Sequence, residues 1–122
     1  MQTPKTAKVL LVEDDPTMRS VLRTLLELEG FAVATIPDRK TEDEIIALMK
    51  AEKPDVVLMD VHIRQVNGIN VLKIMRSDPQ LQDVRVYMAS GMDMKQECLK
   101  AGADGFLMKP YMPDELIDLI KS

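Results

Sequence analysis

The stretch VVLMDVHIRQVNG, Val56 to Gly68, decides how the rest of the chain is read. Four apolar residues, Val56 to Met59, run without alternation and then break on Asp60. A strand with one wet face alternates apolar and polar residues, whereas a continuous apolar run belongs to a sheet covered on both faces. The polar residues after Asp60, among them His62, the chain's one histidine, mark where the backbone leaves that sheet. The segment taken alone admits a catalytic site, a metal site, or a strand running out into a loop.

Working outward, the same texture recurs. KVLLV (Lys8 to Val12), DVVLM (Asp55 to Met59), VRVYMA (Val84 to Ala89) and GFLM (Gly105 to Met108) read as buried strands, and FAVATI (Phe31 to Ile36), less apolar, as an edge strand. Helical patterns lie between them. Asp15 as N-cap and Pro16 at the first helical position precede Met18, Val21, Leu22, Leu25 and Leu26 at helical spacing, and Gly30 ends the run. Thr41 and Glu44 form a capping-box pattern before Ile45, Leu48 and Met49, with Pro54 as the stop. Gly68 to Ser77, Asp93 to Ala101 and Pro113 to Lys121 complete the set. Strands alternating with helices predict an α/β fold with a parallel sheet and right-handed crossovers. Ligands in such folds collect at the carboxyl ends of the strands.

The length of 122 residues suits one domain, expected over residues 8–122 behind a loose tail, Met1 to Ala7. A net charge of -4 argues against direct nucleic-acid binding and against an anionic membrane surface. One cysteine, Cys98, permits no internal disulfide, and no apolar run approaches the roughly 18 residues of a spanning helix. The expected compartment is the cytoplasm. Ten methionines and no tryptophan predict a core of adaptable side chains, and Cys98, Met92, Met94 and Met108 are read as core filling in place of a redox or soft-metal site.

The polar residues at the strand ends carry the chemistry. Glu13, Asp14 and Asp15 follow the first strand, Asp60 the third, Ser90 and Gly91 the fourth, and Lys109 and Pro110 the fifth. Singly, each has a local structural reading as a cap, a turn or a loop start; together they place carboxylates, a hydroxyl and an ammonium on one rim. Carboxylates about 4 Å apart repel by about 4 kcal/mol at an effective dielectric near 20, so such a rim needs a counter-charge. Hard oxygen ligands suit Mg²⁺, and the chain has too few cysteines and histidines for zinc.

Four motifs occur together in the chain: VLLVEDDPTMR, VVLMD with a glycine eight residues on, the alanine-serine-glycine at 89–91, and AGADGFLMKP. The set resembles the receiver domain of two-component response regulators, including chemotaxis response regulators, and covers the chain from about Lys8 to Lys121. The resemblance implies a five-stranded, doubly wound, flavodoxin-like (βα)5 sheet of strand order 2-1-3-4-5. It implies that Asp60 is the phosphoacceptor, that Asp14 binds Mg²⁺ with Glu13 as its acidic partner, and that the backbone carbonyl of His62 completes the protein ligands. Lys109 would contact the phosphoryl oxygens, Ser90 would hydrogen-bond one of them, and Phe106 would change rotamer with phosphorylation.

The function implied by the resemblance is a phosphorylation-dependent switch and not an enzyme acting on other substrates. A histidine kinase or phosphotransfer protein would stand upstream and an output partner or effector domain downstream, with a possible homodimer. The fourth-helix, fifth-strand and fifth-helix surface near Phe106, Lys109 and Tyr111 is the expected docking face. Arg64 departs from the family's commonest pattern, which has proline there; the loop is expected to be less constrained, with the cation exposed or reaching an acidic partner. The side chains of His62 and Met92 are expected to flank the path of an attacking water and to set the acyl-phosphate lifetime.

Three other readings share the residues. A Mg²⁺-dependent phosphatase with an aspartyl nucleophile would want a carboxylate two residues after Asp60, where His62 stands. A flavodoxin-like cofactor binder would want a hydroxyl- and glycine-rich loop after the first strand, where EDDPTM is acidic. A non-phosphorylated interaction module of the same fold would not need the charged rim that this chain carries.

Overall fold

The computed structural model describes residues 7–36 and 41–121. In chain order the elements are β1 (Lys8–Val12), α1 (Pro16–Leu28), β2 (Ala32–Thr35), α2 (Glu42–Glu52), β3 (Val56–Asp60), β4 (His62–Ile63), β5 (Val66–Asn67), α3 (Gly68–Ser77), β6 (Arg85–Ser90), α4 (Lys95–Lys100), β7 (Gly105–Met108) and α5 (Pro113–Lys121). Five strands form a parallel sheet in the order β2-β1-β3-β6-β7, which is 2-1-3-4-5 when the short β4 and β5 are set aside. β2 is an edge, as its weaker apolar character predicts.

The continuous apolar runs are explained by burial on both faces. Val9, Leu11, Val56, Leu58, Tyr87, Ala89 and Leu107 pack with Leu22, Leu26, Leu116 and Ile120 of α1 and α5. The alternate residues Leu10, Val12, Val57, Met59, Val86 and Met88 pack with Ile45, Met49, Val71, Leu72 and Met75 of α2 and α3, and with Cys98 of α4. The interior positions of the central strands therefore need apolar residues on both faces, and the polar ones fall at strand ends.

Helix ends follow their local chemistry. The Asp15 carboxylate accepts from the backbone N–H groups of Thr17 and Met18. Thr41 and Glu44 exchange the two hydrogen bonds of a capping box. Gly30 and Gly102 take the left-handed conformations that terminate α1 and α4, at φ 96° and 108°.

Several expectations shift. β3 and β6 each run one residue further than their apolar segments, so that Asp60 and Ser90 are the last residues of strands and not the first of loops. Asp55 stands outside β3, its carboxylate accepting from the Lys8 N–H. Of the expected tail, residues 1–6 lie outside the described residues, while Ala7 is buried and its carbonyl accepts from the Ala32 N–H. Core filling holds for Cys98, and Met94 packs on the same cluster, but Met92 and Met108 are exposed. They sit on the rim loop and on the outer side of the edge strand β7, where no further layer covers them among the described residues.

Candidate functional site

Strand register assembles the rim. β1 and β3 pair Val12 with Met59, so Glu13 emerges beside Asp60; β3 and β6 pair Asp60 with Ala89; β6 and β7 pair Ser90 with Met108. Lys109, the next residue, donates its backbone N–H to the Ser90 carbonyl at 2.8 Å. Its side chain then reaches back across the sheet end. Lys109 Nζ stands 2.8 Å from Asp60 Oδ2 and 3.1 Å from Glu13 Oε1.

Glu13, Asp14 and Asp60 each bring a carboxylate oxygen within 4.8 Å of the others. Glu13 and Asp60 are buried and Asp14 is half-buried. Burial, then the hydrogen bond and negative charge of Glu13, push the Asp60 carboxyl up to about 7 against the opposing pull of Lys109. Burial also works to raise Glu13, but its hydrogen bonds with Asp60, the Asp15 N–H and Lys109 outweigh that and hold it below the usual carboxylate range. Lys109 is held above its ordinary value: burial opposes its charge, and the two carboxylates more than restore it. Three carboxylates thus face one ammonium, and the surplus negative charge favours retention of a proton by the Asp60 carboxyl.

That surplus fits a hard divalent cation. The donors are all oxygen, they converge on one spot, and half-exposed Asp14 leaves a wet side for the waters that Mg²⁺ keeps. The exposed His62 ring is not one of the three groups, and Cys98 lies buried in the core.

Other expected residues fall around this cluster. The buried Ser90 hydroxyl accepts from the Met92 N–H at 3.1 Å, which fixes the oxygen at the rim. Phe106 is half-buried on β7 opposite Met88. His62 opens a two-residue hairpin, pairing with Asn67 while Ile63 pairs with Val66. Asp15 caps α1 and lies outside the carboxylate group, as its place in the sequence suggests.

Four contributors make contacts at the site that the sequence does not announce, although Arg64, Tyr111 and Gly68 stand out there for other reasons. Arg19 on α1 donates from Nη1 to the Glu13 carbonyl at 3.0 Å, bracing the acidic loop from behind. The Arg64 backbone N–H donates to Asp14 Oδ2 at 3.1 Å. Tyr111 is half-buried near enough for its hydroxyl to be pushed up by burial and by the charges of Asp60 and Glu13. Gly68 is legible only as a motif glycine; its backbone abuts the Asp60 carbonyl so closely that no side chain fits. The first three lack a periodic signature because each contact arises where separate segments meet.

A model of the response regulator receiver domain matches residues 9–121. The chain belongs to the response regulator receiver domain family. A receiver domain is the regulatory, phosphorylation-responsive module of two-component signalling, set between a histidine kinase and an output. This receiver is 32% identical over 114 residues to the chemotaxis protein CheY of Thermotoga maritima, covering 93% of both chains. It is 30% identical over 115 residues to the DNA-binding response regulator MtrA of Mycolicibacterium smegmatis, covering 94% of this chain and 49% of that protein. The receiver spans about half the length of several curated relatives it matches. Among solved structures, the chemotaxis response regulator CheY4 of Vibrio cholerae superposes with a TM-score of 0.84 at 28% identity, over 95% of this chain and 97% of that one.

Proposed function

We propose that this receiver accepts a phosphoryl group on Asp60 and holds it through Lys109 and Ser90, with Mg²⁺ bound by Glu13, Asp14, Asp60 and the His62 carbonyl. The observation that carries the reading is the Lys109 ammonium bridging Asp60 and Glu13 at the end of β3, beside a third carboxylate. When bound, Mg²⁺ supplies positive charge to the phosphoryl oxygens and removes the need for a proton on the acidic pair.

Asp60 is the nucleophile. One carboxylate oxygen attacks phosphorus, an O–P bond forms, and the bond from phosphorus to the donor nitrogen breaks with its electron pair going to the donor. An ionised carboxylate needs no general base. Lys109 follows the growing negative charge from Asp60 to the phosphoryl oxygens, and the Ser90 hydroxyl, whose oxygen accepts from the Met92 N–H, donates its own proton to one of them. Phe106, on the neighbouring strand β7, shifts with Ser90. Hydrolysis by the domain itself reverses the state: water attacks phosphorus, the O–P bond breaks, and phosphate and the Asp60 carboxylate return.

The donor is a histidine kinase or phosphotransfer protein in the cytoplasm. The output face comprises α4, β7 and α5, where Phe106 and Tyr111 are half-buried and Leu99, Met108 and Met112 are exposed. It serves an effector domain, a separate partner or a second copy of the chain. Where an effector binds DNA, as the name of the mycobacterial relative states for that protein, the acidic receiver contributes no contact of its own.

Intact mass after incubation with acetyl phosphate and Mg²⁺ tests the reading. A gain of one phosphate that requires Mg²⁺ and is lost in Asp60→Asn is the expected result. No gain in the wild type, or an undiminished gain in the variant, overturns it.

A further inference from the structure

The loop joining Asp60 to α3 folds back as the hairpin β4–β5, with Arg64 and Gln65 at its tip. Arg64 has φ 52°, a left-handed conformation that disfavours any residue with a side chain and excludes proline, whose ring holds φ near -65°. Such a conformation persists where surrounding contacts over-determine it. Two contacts do so here. The hairpin pairs Ile63 with Val66 on either side of the tip, and the Arg64 N–H points across the rim to Asp14 Oδ2 at 3.1 Å, joining residues fifty positions apart. Asp14 is the half-exposed member of the carboxylate group and, unlike Glu13 and Asp60, is not held by Lys109.

We propose that Arg64 is a positioning residue for the metal ligand Asp14, its left-handed backbone turning one N–H onto the carboxylate and holding it oriented for the cation. The inference rests on the reading of Glu13, Asp14 and Asp60 as a Mg²⁺ site. It concerns the backbone amide, which proline lacks, and not the guanidinium. A carboxylate that already sits in its binding rotamer loses less freedom when the ion arrives, so affinity rises. The coupling is reciprocal: the ion holds Asp14, Asp14 holds the Arg64 amide, and the loop carrying His62 is ordered with them.

The test compares Arg64→Gly and Arg64→Pro, which carry the same charge, while glycine keeps the N–H and tolerates the positive φ. Mn²⁺ is the probe, titrated into each metal-free protein and followed by the electron paramagnetic resonance signal of the free ion. Arg64→Pro is expected to bind Mn²⁺ about tenfold more weakly than Arg64→Gly, the scale typical of losing a partner that orients a metal ligand. A second measurement, amide hydrogen exchange at Arg64 in wild type and Asp14→Ala, does not depend on the proline variant folding. Exchange is expected to be protected in wild type, to slow further with Mn²⁺, and to be about tenfold faster in Asp14→Ala. Equal affinities of folded Arg64→Gly and Arg64→Pro, or equal exchange in wild type and Asp14→Ala, overturn the inference while leaving the metal reading intact. No Mn²⁺ binding by wild type overturns both.

Discussion

The backbone carbonyl of Asp60 occupies the place where a side chain on Gly68 would begin. The Gly68 N–H also donates to the Val61 carbonyl at 2.6 Å, so the start of α3 is pressed against the end of β3. Gly68→Ala must push α3 away or twist Asp60 from its place. The expected cost is about 2–3 kcal/mol of stability, with loss of most phosphorylation at Asp60. Urea denaturation and intact mass after acetyl phosphate treatment check the two effects, and a variant of wild-type stability and phosphate uptake refutes the packing argument.

Asp60 also makes metal-free stability depend on pH. Its carboxyl is raised from an ordinary 3.8 to about 7. Between those values the folded state keeps a proton that the unfolded chain has released, so its contribution is fully present below 3.8 and is lost as pH rises through 7. Glu13, held below its ordinary value, acts in the opposite sense and only in more acidic solution. In EDTA, Asp60→Asn is therefore expected to be more stable than wild type at pH 8 by about 1–3 kcal/mol, with the gap closing toward pH 4. Paired urea titrations across that range measure it; a gap that widens toward acid contradicts the sign.

Arg76 at the end of α3 ties three segments together. Its guanidinium donates to the carbonyls of Gly102, Gln82 and Val84 at 2.9, 3.0 and 2.7 Å, and to Asp104 Oδ2 at 3.0 Å. Asp104 in turn accepts from the Val86 N–H, at the start of the strand that carries Ser90. Arg76→Ala should cost about 2–3 kcal/mol, because partly buried carbonyls lose their donors. Arg76→Lys should recover less than half, since an ammonium cannot span the same fork. Chemical denaturation of the three proteins decides the matter, and a fully rescued lysine variant defeats the fork argument.

His62 and Met92 are both exposed at the rim, the latter joined through its N–H to Ser90. Their side chains are expected to shield phosphorus from water in the phosphorylated state. A His62→Asn, Met92→Glu double variant removes bulk and adds a group able to orient water, and its dephosphorylation is expected to be about tenfold faster. The decay of the phosphate mass adduct after removal of the donor gives the rate, and equal lifetimes sink the idea.

Much of this architecture is legible in the chain itself. Nearly continuous apolar runs within 8–12, 55–59, 84–89 and 105–108 announce a sheet buried on both faces, and the caps at Asp15 and Thr41 act within a single turn. The hairpin at 62–67 is not legible, because two-residue strands are too short for a period. Met92 and Met108 mislead for a related reason: apolar character says that a residue can be buried, but exposure depends on whether a layer lies over it.

By itself, the order of residue types determined the alternation of helices with the five strands of the main sheet, the cover on both its faces and which charged groups stand at strand ends, because these follow from local periodicity and from the two-sided burial of short strands. Only the tertiary structure decided how those groups meet. Lys109 lies between Asp60 and Glu13, Arg64 turns its backbone onto Asp14, and Gly68 makes room for Asp60, through contacts between distant segments whose distances are set by strand register and loop conformation. The physical reason is that a hydrogen bond or a steric limit depends on separation in space, on a scale of tenths of an ångström, and residue spacing along the chain carries no such measure.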